Sequence, residues 1–135
     1  MNIIKSIPKS FQMHKRELPF FYDDKYLTNG CFAVSRENIK DSYRYCLSKD
    51  ISQPDIKRII PEISIEQAIR LDKTNRLLDT GFGYVRIFID KDNNEYHFDD
   101  KYIKHFDIET LYTSEKNDVA FTDDKSFLLM PIRNT

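Results

Sequence analysis

The chain has no tryptophan, only three glycines and only two cysteines in 135 residues. Three glycines leave no room for a Gly/Ser linker, so a single domain over 1–135 is the simplest organisation. Cys31 and Cys46 lack the spacing of a metal site, and free buried thiols are the expectation for a reducing compartment. No apolar run approaches the roughly 18 residues that a membrane span needs. The opening MNIIKSIPKSF lacks the longer apolar stretch of a secretory signal, which points to a cytoplasmic protein without a membrane partner.

Charge of one sign is also missing, since the net charge is -1. Its distribution is uneven: residues 1–76 carry 14 Lys and Arg against 10 Asp and Glu, and residues 77–135 carry 7 against 12. A basic face for DNA or an acidic face for a basic partner is compatible with that asymmetry, as is ordinary solvated charge.

Catalytic constellations are thin. His14, His97 and His105 show neither HExxH nor another zinc spacing. Asp90-x-Asp92-x-Asn94 begins like a calcium loop, but Glu95 stands where the loop needs glycine and Lys101 where it needs glutamate, so it reads as a hairpin turn. Gly81-Phe82-Gly83 precedes a strand and is too short to cradle phosphate, and there is no Gly-x-Ser-x-Gly. Asp-Asp-Lys occurs at Asp23–Lys25, Asp99–Lys101 and Asp123–Lys125. Nuclease sites use an acid-x-Lys pattern with a further acid, whereas acidic turns and helix caps account for all three copies. No catalytic residue, metal or cofactor is assigned.

What is present is a rich supply of aromatic residues, eight Tyr and ten Phe, and a strong β pattern. LPFFYDDKYLTNGCFAV alternates apolar residues with Asp-Asp and Asn-Gly turn signals, giving strands near 18–22, 25–28 and 30–34. Ser35 offers an N-cap for a helix through about Ser48, with Ile39, Tyr43, Cys46 and Leu47 on one face. Ser64 and Gln67 have capping-box spacing and open a second helix, with Ile65, Ala68 and Ile69 inward, ending before Gly81. YVRIFID, a KDNN turn and EYHF then form a hairpin, and Asp99 or Asp100 caps a short helix DKYIKHF. IETLYTS, DVAFT and SFLLMPI close the chain as three strands. The last, stopped by Pro131, reads as a strand docked on a sheet edge. The fold class is thus α+β: a mostly antiparallel sheet with two to three helices.

The second half resembles one domain of the bacterial DNA polymerase III sliding clamp. Phe98, Tyr102, Ile103 and Phe106 match that family's helix signature, and Leu128-Leu129-Met130-Pro131-Ile132-Arg133 matches its terminus. Tyr26–Val34 looks like its strand-turn-strand passage. About half the chain is covered, and 35–80 form a helical insertion without a counterpart.

The resemblance implies a DNA-clamp-like single domain, non-enzymatic, acting in DNA replication or its regulation. Leu128, Leu129, Met130, Pro131, Ile132 and Arg133 would line an apolar groove for a partner's peptide. DNA would meet Arg36, Lys40 and Arg44, or Arg70, Lys73 and Arg76. A protein partner is expected, a replication protein or host factor, and the chain would be a monomer or small homo-oligomer. The Lys, Asn, Ile, Tyr and Asp bias suits an AT-rich genome, and a one-domain version suggests a phage or mobile element. The alternatives are a small inhibitor or adaptor binding a host protein and, third, a metal-dependent nuclease.

Overall fold

The structure, a computed structural model, describes residues 2–12, 21–22, 25–45, 60–116 and 118–132. Among these residues, nine strands make one sheet: β1 (Phe21–Tyr22), β2 (Tyr26–Thr28), β3 (Phe32–Ser35), β4 (Ile69–Asp79), β5 (Tyr84–Ile89), β6 (Glu95–Asp99), β7 (Thr110–Thr113), β8 (Ala120–Phe121) and β9 (Phe127–Leu129). Their order is β1-β2-β3-β9-β8-β7-β4-β5-β6, with every neighbouring pair antiparallel. Among the described residues there is one α-helix, α1 (Asp100–His105), and otherwise only single 3-10 turns.

The expected two to three helices are therefore corrected. Over Ser35–Ser48, residues 46–48 lie outside the described residues, and the rest forms 3-10 turns at Arg36–Asn38 and Ser42–Arg44. Ile39 between them is extended, buried and bridged to Ile4. The proposed apolar face does not hold together, because Tyr43 is 75% exposed. Packing of one β-branched residue outweighs a helical pattern with little area to bury. From Ser64, only Ile65–Gln67 forms a 3-10 turn, and Ile69–Asp79 is strand β4. There Ile69 and Leu71 alternate with exposed Arg70 and Asp72, a period of two that the capping-box spacing masks.

The terminal strand is likewise not at an edge. β9 lies between β3 and β8, with Ala33 opposite Leu128 and Phe121 opposite Leu128 on its two sides. Both sheet faces are covered here. Phe32, Val34, Phe127 and Leu129 join the main core, while Ala33, Phe121 and Leu128 join a second cluster against Ile60, Ile63, Ile65 and Ala68. That is why Phe-Ala-Val and Phe-Leu-Leu run as unbroken apolar stretches rather than alternating.

The sheet must also curl. Met130 donates its N–H to the Cys31 carbonyl at 2.9 Å, and two residues later Ile132 donates to the His97 carbonyl on β6 at 2.8 Å. In a flat sheet β9 and β6 would stand about 24 Å apart, five spacings of ~4.8 Å. The three residues beyond Leu129 span only ~10 Å. Within the curl sits α1, capped by Asp99, whose carboxylate accepts from the Lys101 amide. Its Tyr102 and the following Phe106 meet the sheet through close ring pairs: Phe106–Phe127 at 4.7 Å, Phe32–Tyr102 at 5.0 Å and Phe32–Phe106 at 5.1 Å.

Asn29, buried in the β2–β3 turn, ties three segments together. Its Nδ2 donates to the Phe11 carbonyl at 2.6 Å and the Tyr102 hydroxyl at 3.0 Å, and its Oδ1 accepts from the Cys31 and Phe32 amides. Burial pushes the Tyr102 phenol up to about 12, with the Asn29 bond acting the other way.

Phe106→Ala removes the ring that joins α1 to β9 and is expected to cost about 3–5 kcal/mol in urea unfolding. Phe82→Ala, at the fully exposed β4–β5 turn, should stay within ~0.5 kcal/mol. Similar losses for the two would show that the α1–β9 contact is not central.

Candidate protein-interaction surface

The terminal motif divides sharply by burial. Leu128 and Leu129 are in the core, so they form the wall under the surface instead of presenting side chains on it. Met130 and Ile132 are 40% and 39% exposed. Pro131, half-buried between them, has no N–H and so interrupts the ladder. The two flanking hydrogen bonds, to Cys31 and His97, hold this short segment extended across the seam of the curled sheet. Arg133 lies outside the described residues. Cys31 itself is a free, exposed thiol, not a buried one, and Cys46 lies outside the described residues.

The basic candidates are not brought together on helical faces. Arg36 and Lys40 are exposed on the turns around Ile39, and Arg44 sits 3.8 Å from Asp41. Arg70, Lys73 and Arg76 stand on β4, each with a carboxylate: Asp72 at 3.1 Å, Glu109 at 2.9 Å and Glu95 at 2.8 Å. Pairing of this kind leaves little net positive field for phosphate.

The acidic motifs serve their own turns. Asp90 accepts from the Asp92 and Asn94 amides, the Asn94 side chain and the Tyr96 hydroxyl. Burial acts upward on this carboxyl, but those four bonds outweigh it and lower its pKa. A cavity of about 570 Å³ beside it is lined by both signs of charge, Arg70 and Lys91 with Asp90, Asp92 and Glu115. Asp99 caps α1 and Asp100 pairs with Arg86 at 2.9 Å. Asp123 and Asp124 form the β8–β9 turn, and the Asp23–Asp24 pair lies outside the described residues. Among the described residues, no group of three or more His, Cys, Asp or Glu could hold a metal ion. His97 is in β6, 3.7 Å from Glu95, and His105 packs edge-on against Phe11. His14 lies outside the described residues.

One apolar feature escaped the sequence reading. The β4–β5 hairpin carries exposed Leu77, Leu78, Phe82 and Tyr84, with Phe82 at 102%. The available signal was Thr80-Gly81-Phe82-Gly83 between apolar runs. Gly81 has φ +83° as the first residue of a two-residue loop closed by Thr80 N–H to the Gly83 carbonyl at 3.0 Å. A glycine in that place is the mark of a tight hairpin. Among the described residues no helix is long and apolar enough to cross a membrane. No protein-family model matches the chain, and no curated protein or solved structure matches it.

Asp124 organises the turn that delivers β9. Its Oδ1 accepts from Thr122 Oγ1 at 2.9 Å, the Ser126 amide at 3.0 Å and Ser126 Oγ at 2.7 Å. Burial acts upward, but these bonds prevail and hold the carboxyl at about 2, below its ordinary 3.8. A depressed folded pKa contributes stability that is fully present above the unfolded value and is lost as pH falls through the folded one. The thermal midpoint of the wild type should thus fall between pH 4 and pH 2 more steeply than that of Asp124→Asn. Equal slopes would remove the turn from the account of acid stability.

Proposed function

We propose that the chain is a non-enzymatic binding protein, resembling a sliding-clamp domain in its terminal motif, that docks a protein partner on Met130, Pro131 and Ile132 in DNA replication or its regulation. The observation that carries this reading is the emergence of two exposed apolar side chains directly from a fully buried strand. Held by backbone bonds on either side of Pro131, they form a preorganised extended edge that loses little freedom on binding. Further support comes from contact between the separate pieces of the resemblance. The helix signature at Tyr102 and Phe106 and the strand-turn-strand residue Phe32 share one ring cluster with Phe127, which directly precedes the terminal motif. DNA is a lesser contact in this reading, because the β4 cations already have carboxylate partners.

Fluorescence anisotropy with a labelled peptide of the kind that partners lay into bacterial sliding clamps tests the proposal. The double variant Met130→Ala/Ile132→Ala should weaken binding about tenfold or more, with a thermal midpoint near that of the wild type. Failure of the wild type to bind, or equal binding by the variant, would overturn it.

A further inference from the structure

Among the described residues, the outer half of the β4–β5 hairpin is a blade with an unpaired edge. β4 runs to Asp79, but β7 pairs with it only over Ile69–Asp72, and the bond from the Lys73 amide to the Glu109 carbonyl ends that ladder. β5 accompanies β4 further, through Leu77↔Arg86, Leu78↔Val85 and Asp79↔Tyr84. Between the two halves lies a bulge, where Thr74 Oγ1 donates to the Ile87 carbonyl and accepts from the Arg76 amide.

Register determines which backbone groups are open. Thr80 and Gly83 are a hydrogen-bonded pair at the turn. Antiparallel ladders alternate, so Leu78 and Val85 form the next bonded pair. Leu77 and Asp79 consequently aim their N–H and C=O away from β5, toward the side that β7 has left. Opposed residues share a sheet face, which puts Leu77 with Arg86 and Tyr84 with Asp79 on one side, and Leu78 with Val85 on the other. Exposed apolar side chains therefore flank the open edge on both faces.

Charge narrows the occupant. Lys73 and Arg76 are paired with Glu109 and Glu95, and Arg86 with Asp100. On residues 77–84 the only Asp, Glu, Lys or Arg is Asp79, whose Oδ1 takes the Gly81 amide at 2.9 Å. Phosphate finds no open cation on this blade. A second copy would bring the same edge, with Arg76 held by its own Glu95 and no cation to offer Asp79. An unpaired strand edge with apolar flanks accepts another extended chain, whose backbone satisfies both open positions.

We propose that the β4 edge at Leu77 and Asp79 is a strand-addition site for an extended, apolar-rich segment of another protein, which sets a Lys or Arg against Asp79. This surface is separate from Met130–Ile132 and does not depend on it.

Two measurements on the full chain test the site. Amide hydrogen exchange resolved by NMR should show Leu77 and Asp79 exchanging about a hundredfold faster than Leu78 and Thr80 in the free protein. A displayed library of random ten-residue peptides, selected on the immobilised chain, should yield peptides with apolar residues at alternate positions and an excess of Lys or Arg. Such a peptide should protect the Leu77 and Asp79 amides. Leu77→Pro removes an outward N–H and spares the β5 ladder, and should weaken its binding about tenfold. Asp79→Asn, a surface change that leaves folding intact, should abolish the Lys or Arg preference. Met130→Ala/Ile132→Ala should bind as the wild type does, which separates this site from the terminal one. Protection of Leu77 and Asp79 in the free chain that grows with protein concentration would make the occupant a second copy and overturn the proposal. An empty selection, or peptides indifferent to both Leu77→Pro and Asp79→Asn, would overturn it as well.

Discussion

The packing of α1 inside the curled sheet is the contact on which the rest depends. A helix of six residues cannot hold itself together by its own hydrogen bonds. It is held by Tyr102, Ile103 and Phe106, all buried, against rings from β3 and β9 and from the N-terminal segment through Phe11. Those rings come from residues 11, 32, 102, 106 and 127, so one cluster joins the beginning, middle and end of the chain. Asn29 adds the polar counterpart, satisfying a Phe11 carbonyl and a Tyr102 hydroxyl that burial would otherwise leave costly.

Both surfaces follow from that curl. Because β9 is drawn inward between β3 and β8, its leucines are consumed by the two cores, and only the residues after it reach solvent. The short crossing to His97 then covers part of the β6 edge, where an open strand would invite pairing. The β4–β5 blade is the opposite case. β4 is longer than β7 can accompany, so its outer half leaves the curl with apolar residues on both faces and one edge unpaired among the described residues.

Much of this could be read from local chemistry. Asn29-Gly30 between Tyr26–Thr28 and Phe32–Ser35, the KDNN turn between β5 and β6, and the Asp99 cap of α1 are each specified by residues in direct sequence proximity. The final three strands follow the same rule. The failures lie where two periods compete. Residues 65–79 contain Ile65, Ala68 and Ile69 at helical spacing and Ile69 and Leu71 at strand spacing. The pairing of β4 with β7 over Ile69–Asp72 and with β5 over Asp72–Asp79 settles the matter, because each ladder gives the backbone hydrogen-bond partners from a distant strand. At Ile39 a bridge to Ile4 does the same over a separation that no local window contains.

By itself, the amino-acid sequence determined the Asn29-Gly30 and KDNN turns and the Asp99 cap of α1, since each depends on neighbours a few residues away. Only the tertiary structure decided that Phe127–Leu129 is an inner strand, that Leu128 and Leu129 are core while Met130 and Ile132 are surface, and that Leu77–Tyr84 project. Those outcomes depend on which strands pair and on how far a pairing extends, which are contacts between distant residues in a curled sheet. An apolar residue looks the same in sequence whether its neighbour across the sheet is present or missing.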